Sequence, residues 1–491
     1  MKTLSDILYG TPLEDLVGNA HIAIERLTAD SRKVRPFSLF FAHRGLTTDG
    51  HLYIEEAIQK GANAIICQNL PEKINPSVTW VVVRDTRRAM ADVARNFYDD
   101  PSAKIKLIGV TGTNGKTTTT TLLYNLFSAL GFKCGLISTV RIVINGESQP
   151  TTHTTPDILR TNELLAHMVQ QGCAYAFMEV SSIGVHQGRI DGLKFTGGIF
   201  TNITHDHLDY HGTFEHYLQS KKAFIDALSP EAFALANLDD PNGPVMLQNT
   251  KARKAGYSLH GKGEFTGRIR EMDLSGMLLE INGKEVWLKL TGQFNAYNVL
   301  AVYGAAQLLG TDSQQCLTVL SSLEPVEGRF NVVPGPGRTT AIIDYAHTPD
   351  ALHNIMEAVR HIMKKGQRLV VLVGCGGNRD KEKRPLMGKI AVTGADVAFF
   401  TSDNPRFEDP LAIIEDMKKG LTPEELRKVH TVPDRREAIR LAASLLKSGD
   451  VLLVAGKGHE DYQEIRGEKY PFHDKKEVAE ALMQYNTQNP A

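Results

Sequence analysis

The chain has few cysteines and tryptophans: 5 Cys and 2 Trp among 491 residues. Cys67, Cys134, Cys173, Cys316 and Cys375 are scattered, odd in number and never spaced C-x-x-C. This argues against a disulfide framework or a cysteine-built zinc site and fits a reducing compartment, with each cysteine a small buried hydrophobe. Charge of one sign is also lacking. Lys+Arg 55 against Asp+Glu 56 leaves a formal net charge of -1, so no whole-chain basic field draws nucleic acid or an anionic membrane. No run of about 18 apolar residues offers a spanning helix. The opening MKTLSDILYGTPLEDL has neither the apolar core nor the small-residue cleavage site of a leader. The expectation is a cytoplasmic protein that acts on small soluble substrates, without nucleic acid or membrane as partner.

At about 100 to 200 residues per domain, this length points to roughly three units. Residues 1–99 alternate apolar runs (FSLFFA, AIICQ, TWVVV) with helical ones (YIEEAIQKGA, RRAMADVARNFY), and YDDPSAKIK ends them. Residues 100–332 carry LIGV, AYAFMEV, GGIFTNI and AFALANLDD between helical segments. A hairpin-like section then turns at Asn282-Gly283 before the helix NAYNVLAVYGAAQLLG. GRFNVVPGPGR reads as a linker. Residues 333–491 alternate again, with TTAIIDYA, RLVVLVGCGG, VAFFTSD and VLLVAGKG as strands. Near-continuous apolar strands between helices predict an α/β fold in three domains: a small N-terminal unit, a central P-loop unit with a mainly parallel sheet, and a C-terminal Rossmann-like unit.

Seven polar stretches lie just past apolar strands: GVTGTNGKT, MEVSS, TNITHDH, DYAHTPD, GCGGNRDK, SDNPR and AGKGHE. Parallel sheets bind ligands at those strand ends, and seven coincidences predict one shared site. In the first stretch, the usual P-loop spacing G-x-x-x-x-G-K-[ST] would put a glycine where Val110 stands. Gly112 and Gly115 still let backbone N–H groups approach phosphate, and a helix N-terminus follows. Lys116 is in register for the terminal phosphates and the Thr117 hydroxyl for Mg²⁺. Glu179 ends the next strand, as an acid that holds a metal or its water. His205, His207, His211 and His216 lack cysteine partners, which favours a hard-cation role for one of them over structural zinc. At about 100° per residue, Phe214, Tyr217, Leu218, Ile225 and Leu228 make one stripe with Lys221 in its middle and Lys222 at its edge. A free ammonium there is costly. Either the Lys221 head snorkels out, or it is neutralised or modified because it faces the site.

In this order and over nearly the whole chain, TGTNGKTT, MEVSS, NITHDHLDYHG with its helical lysine, GQFNAYN, EGRF and IDYAHTPD resemble the Mur ligase family. DSR, HTTPD, GCGGNRDKEKRPLMG, DNPR and GKGHE most resemble its members that add the third amino acid. The resemblance implies ATP-dependent addition of meso-2,6-diaminopimelate to the D-glutamate γ-carboxylate of UDP-N-acetylmuramoyl-L-alanyl-D-glutamate. The route is an acyl phosphate, in peptidoglycan precursor synthesis, with a monomer expected. It also implies that Gly112, Thr113, Asn114, Gly115, Lys116, Thr117 and Thr118 cradle the phosphates. Asn295, Asn298, Arg329 and Asp344 meet the nucleotide, with His347 beside them. Mg²⁺ falls to Thr117, Glu179, His207 and a carbamylated Lys221, so that Lys116, Glu179, His207 and Lys221 form the catalytic set.

Ser31 of DSR and the His43-Arg44-Gly45 loop resemble the uridine side, where AHRGLTTDG departs from the family's usual GHQ. Thr154, Thr155, Ser181 and Arg189 resemble the muramoyl-dipeptide contacts. For the amino acid, the matched positions are Arg379, Asp403, Asn404, Pro405, Arg406, Gly456 and Glu460. Arg406 suits the second carboxylate of diaminopimelate and Glu460 the distal ammonium. Because Arg329 and Asp344 flank the expected linker, the third unit is expected to close on the second. The alternatives are the same ligation with L-lysine, folylpolyglutamate synthetase, and a P-loop nucleotide switch. The first has no use for Arg406, the second shares neither a DSR-type uridine domain nor DNPR, and the third predicts a guanine-reading N-K-x-D, which this chain does not contain.

Overall fold

The computed structural model describes residues 2–45, 48–151 and 153–488; Leu46 and Thr47 of the AHRGLTTDG loop lie outside them. A five-stranded sheet runs in the order Asp15–Val17, Thr79–Val82, Ala62–Cys67, Ser38–Phe41, Arg26–Thr28. It is parallel apart from its first strand. Leu39, Phe41, Ile66 and Val81 face the helix Thr86–Phe97 through Met90, Val93 and Ala94. That helix starts where Asp85 accepts from the backbone N–H groups of Arg87 and Arg88.

The central sheet has eleven strands. Its parallel run places Cys134–Ile137, Tyr175–Glu179, Lys106–Thr111, Gly197–Phe200, Phe233–Asn237 and Arg253–Ser258 side by side. Beyond them Phe265–Asp273, Gly276–Ile281 and Lys284–Leu288 form the expected antiparallel section. Its Asn-Gly turn has positive φ at both Asn282 and Gly283, as the favoured hairpin turn demands. Helices Lys116–Ala129 and Gln293–Leu308 pack on one face through Leu122, Leu126, Val299 and Leu300. Ile158–Gln170 and Phe214–Asp226 cover the other through Leu164, Met168, Phe224 and Ile225. Lys106–Thr111 lies between the strands ending at Glu179 and Phe200, so three of the predicted loops leave the sheet side by side.

The third sheet runs Asn331–Pro334, Thr340–Asp344, Val451–Ala455, Leu369–Cys375, Val397–Ser402, Val429–Thr431. One expectation is corrected here. GRFNVVPGPGR is not a linker, because Asn331–Pro334 pairs antiparallel with Thr340–Asp344 from Asn331 opposite Ile343 to Pro334 opposite Thr340. Proline at an edge strand loses no needed donor, which is why a Pro and Gly cluster was compatible with pairing. A division after residue 332 would cut this strand, so the third unit is taken to start with it. All five cysteines are buried and free.

Beneath the strand ends of this sheet lies an ion pair that sequence reading did not single out. Arg435 and Asp474 have fully buried side chains, and the guanidinium donates to both carboxylate oxygens at 2.8 and 2.7 Å. The same guanidinium reaches the carbonyls of Ser402 at 3.4 Å and Ala455 at 3.1 Å, the ends of the strands from which DNPR and GKGHE spring. Asp474→Ala leaves this cation unpaired and is expected to lower the unfolding free energy by about 3 to 5 kcal/mol. Urea unfolding would measure the loss, and the double replacement Arg435→Met with Asp474→Leu should recover much of it.

Candidate active site

Gly112 and Gly115 have φ of 151° and 88°. A Cβ on Gly112 would sit 1.9 Å from Thr201 Oγ1, and one on Gly115 would sit 2.5 Å from Asn298 Oδ1. Both glycines are therefore required sterically as well as conformationally. The loop is clamped from the neighbouring strand end: Thr113 N donates to Asn202 O at 2.8 Å, and Asn114 N to Asn202 Oδ1 at 2.9 Å. Thr201 Oγ1 donates to Asn114 O at 2.6 Å. Asn298 in turn is held through Asn295, whose Oδ1 accepts from its Nδ2 at 3.1 Å.

Two lysines converge on one carbonyl. Lys116 Nζ donates to Gly112 O and Thr113 O at 2.9 Å each, and Lys221 Nζ donates to Gly112 O at 2.7 Å. Lys221 is buried, and its nitrogen lies 4.5 Å from the Tyr217 ring centre. Burial first, then the charge of Lys116, holds the Lys221 ammonium well below its ordinary range. Burial also lowers Lys116, against the opposing pull of Glu179 and Asp206. Lys222 points elsewhere and pairs with Asp226 at 2.8 Å, so the helical phase that picked out Lys221 agrees with the structure.

Glu179 is buried, with its carboxylate accepting from Thr139 N at 2.7 Å and Thr139 Oγ1 at 3.0 Å. Thr139 Oγ1, its hydrogen given to Glu179, lies 3.1 Å from the Thr154 hydroxyl and can accept from it. Thr155 is completely buried: its hydroxyl donates to Glu179 O at 2.9 Å and accepts from Ser181 N at 3.0 Å. Arg189 donates to Thr155 O at 2.7 Å. The side chains of Thr155 and Arg189, expected at the substrate, thus brace the Glu179 strand end. His207 has φ 53° and a half-exposed side chain 3.6 Å from Asp206; partial desolvation in the cleft, outweighing Asp206, lowers its pKa. Among the described residues no three His, Cys, Asp or Glu side chains converge into a metal group. The hard donors on offer for a cation are the Thr117 hydroxyl and the Glu179 carboxylate, with His207 nearby.

The second and third units meet at this loop. Arg329 Nη2 donates to Thr117 Oγ1 at 3.2 Å, and its guanidinium lies 4.7 Å from the Tyr345 ring centre, while Nε is buried without a partner. Asp344 accepts from Phe330 N and Ala346 N, both at 2.8 Å, and burial raises its pKa. His347 Nδ1 is 2.8 Å from Tyr345 O. Asp350, unforeseen from sequence, accepts from Asn114 Nδ2 at 2.8 Å and Thr204 Oγ1 at 2.9 Å. The contacts that cross from the third unit to the second are those of Asp350 with Asn114 and Thr204, of Asp344 with Phe330, and of Tyr345 with Arg329.

Two confluent clefts of about 1660 and 2390 Å³ run through this junction, sharing Thr139, Thr154, Asp206, His207 and His347. All seven predicted strand ends contribute to their walls, through Lys116, Ser181, His207, His347, Arg379, Asn404 and Glu460. The second cleft also takes in Asp403, Arg406 and Gly456. Here sequence reading missed Lys457. Its fully buried ammonium donates to Glu460 Oε2 at 2.8 Å and Asn404 Oδ1 at 3.1 Å, and lies 3.5 Å from Asp403 Oδ1. Ser31 stands apart: it lines neither cleft, and its hydroxyl donates to Glu56 at 2.8 Å.

A phosphate-type loop on a parallel sheet, facing an acid-and-arginine pocket on a second sheet, defines an enzyme that spends a nucleotide to join two substrates. Three family models match: the Mur ligase family catalytic domain over residues 23–98, the Mur ligase middle domain over 110–306, and the Mur ligase glutamate ligase domain over 328–458. The chain is 53% identical to the UDP-N-acetylmuramoyl-L-alanyl-D-glutamate--2,6-diaminopimelate ligase of Phocaeicola vulgatus, over 96% of this chain and 98% of that one. It is 50% identical to the protein of the same name from Bacteroides thetaiotaomicron, over 97% and 99%. A solved structure of a ligase with that name superposes with a TM-score of 0.69 at 32% identity, covering 98% of this chain and 99% of the other. The chain belongs to the Mur ligase family, whose members form amide bonds with ATP.

The crowding at Gly112 yields a measurable expectation. Gly112→Ala must displace Thr201 at a cost of about 1 to 3 kcal/mol, and ATP binding should weaken by roughly 10- to 100-fold. Lys222→Ala, which removes only the pair with Asp226, should leave it within about twofold. Calorimetric titration with a non-hydrolysable ATP analogue reads both.

Proposed function

We propose that the chain joins meso-2,6-diaminopimelate to the D-glutamate γ-carboxylate of UDP-N-acetylmuramoyl-L-alanyl-D-glutamate at the expense of ATP, as a cytoplasmic monomer. The observation that carries this reading is the second cleft. It sets the Arg406 guanidinium and the Asp403, Asn404 and Glu460 cluster on a wall continuous with the phosphate loop. An amino acid with a second amine and a second carboxylate finds a partner for each there. Lysine has no second carboxylate to meet the Arg406 donors that the pair with Glu464 leaves open. Among the described residues no helix is long and apolar enough to cross a membrane.

The residues fit a nucleotide triphosphate. The glycines open the backbone to it, the helix beginning at Lys116 turns its N-terminus toward it, and the orphaned Arg329 Nε is a donor awaiting an anion. They also fit Mg²⁺, which Thr117, Glu179 and His207 would hold and which would screen the negative charges that must approach one another. Lys116 stabilises charge on the transferring phosphoryl group. The γ-carboxylate oxygen attacks the terminal phosphorus of ATP and ADP leaves. The incoming neutral amine then attacks the acyl carbon, phosphate leaves with the bonding pair, and the nitrogen gives up one proton, which the departing phosphate can take. Thr154, Ser181 and Arg189 would settle the dipeptide end, and Ser31 with the His43-Arg44-Gly45 loop the uridine end.

Lys221 is assigned as carbamylated. Its buried, depressed amine has a larger neutral fraction at neutral pH than an ordinary lysine, and only the neutral amine attacks CO₂. The N–C bond forms as the amine loses a proton, and an acid able to hold cation replaces a cation beside Lys116. Stripping CO₂ from enzyme and buffers should therefore lower activity, and bicarbonate should restore it. Lys221→Ala should lose more than the roughly 10- to 100-fold typical of an indirect support and show no response to bicarbonate.

The reaction itself is tested by ADP release over a panel of amino acids, with and without the UDP-linked dipeptide. Release that requires both the dipeptide and diaminopimelate supports the reading, and preference for lysine at equal concentration sinks it. In the same assay Arg406→Ala should weaken diaminopimelate by about 2 to 5 kcal/mol.

A further inference from the structure

The turn that carries Arg406 is strained, and a separate hairpin holds it. Arg406 has φ 52°, a left-handed conformation that a side-chain-bearing residue keeps only when its surroundings impose it. The hairpin Tyr462–Ile465 with Glu468–Pro471 supplies that constraint. Arg406 N donates to Glu464 O at 3.0 Å, and Arg466 N donates to Arg406 O at 2.7 Å. Arg466 is itself left-handed at φ 50°. Glu464 N donates to Asn404 Oδ1 at 2.9 Å, so the same residue is also tied to the pocket's asparagine.

The side chains repeat the arrangement. Arg406 Nε donates to Glu464 Oε2 at 3.2 Å, and Nη1 donates to Gly377 O at 2.9 Å. Both partners are mostly buried, with side-chain exposures of 19% and 23%, which is deep enough for the pair to be ordered rather than a loose surface contact. A guanidinium offers five N–H donors in one plane. With Nε taken by Glu464 and one Nη1 hydrogen by Gly377, a bidentate acceptor is left the edge made by Nη2 and the remaining Nη1 hydrogen.

We propose that Glu464 is a positioning residue for acceptor selection: it fixes the plane of the Arg406 guanidinium and presents the Nη1–Nη2 edge to the distal carboxylate of the amino-acid substrate. This rests on the diaminopimelate reading given above. Glu464 touches no reacting atom and works through Arg406.

The test is steady-state kinetics on the full-length enzyme. Glu464→Ala should raise KM for diaminopimelate about tenfold, with kcat and KM for ATP within twofold of the parent. Glu464→Gln, whose side-chain oxygen still accepts from Nε, should restore most of the loss. The double variant Glu464→Ala with Arg406→Ala should be no worse than Arg406→Ala alone, because Glu464 has nothing left to position. Three results would overturn the proposal: an unchanged KM in Glu464→Ala, a parallel rise in KM for ATP, or a double variant further impaired than Arg406→Ala. Should Glu464→Ala fail to fold, Glu464→Asp, one methylene too short to reach Nε, takes its place: it should raise KM for diaminopimelate while Glu464→Gln stays near the parent, and an unchanged KM in Glu464→Asp would overturn the proposal. A parent enzyme that prefers lysine would instead overturn the diaminopimelate reading, a distinct outcome read before any variant is made.

Discussion

The site depends on how closely one loop is allowed to approach its neighbours. Val110 stands where a standard phosphate loop has glycine, yet Gly112 and Gly115, which shape the loop, have no room for a Cβ. Gly112 presses on Thr201 and Gly115 on Asn298, and these two contacts tie the loop to the adjacent strand end and to helix Gln293–Leu308. Because the backbone comes so close, its carbonyl at Gly112 becomes the common acceptor for Lys116 and Lys221. Two ammonium groups on one carbonyl, Lys221 buried and Lys116 half-buried, is a costly arrangement. It is relieved if one is neutral or converted to an acid, or if an anion arrives.

The same logic of unmatched charge extends across the junction. Arg329 reaches Thr117 with one nitrogen and leaves Nε unsatisfied, while Asp403 keeps one buried oxygen without a hydrogen-bond partner, its nearest cation Lys457 at 3.5 Å. Buried polar atoms without partners are rare in folded proteins and mark places where something else binds. Of the charged side chains among them, Arg329 lies by the phosphate loop and Asp403 in the amino-acid pocket, and these suit an anion and a cation respectively. A reaction that brings a polyphosphate and an amine-bearing amino acid to adjoining clefts meets both demands.

Much of this was legible in the sequence because it rests on local pattern. Apolar strands followed by polar turns placed all seven loops on the clefts, and the 3.6-residue period separated Lys221 from Lys222. The hairpin turn announced itself by Asn-Gly. What escaped was long-range. Asp350 meets Asn114 across 236 positions and Arg435 meets Asp474 across 39, and no periodicity marks such partners. Lys457 was hidden inside the GKGHE stretch, where its neighbours Gly456 and Glu460 were matched to the family and it was not. Asn331–Pro334 was masked by composition, since proline and glycine are as compatible with an edge strand as with a linker.

The long-range partners share a feature that explains why they matter. Each fixes a strand-end loop from outside its own sheet connection: Asn202 and Thr201 hold the phosphate loop, Arg435 holds the ends after Ser402 and Ala455, and Glu464 holds the DNPR turn. A parallel sheet delivers loops to the correct edge but leaves their side-chain directions free, because a loop is ordered only by what it touches. Orientation therefore has to come from buried polar contacts made by residues without chemistry of their own. In a ligase that must align a phosphorylated acid with an amine, misplacement by about 1 Å costs on the order of 100-fold in rate. The residues that set direction then constrain the reaction almost as tightly as those that carry it.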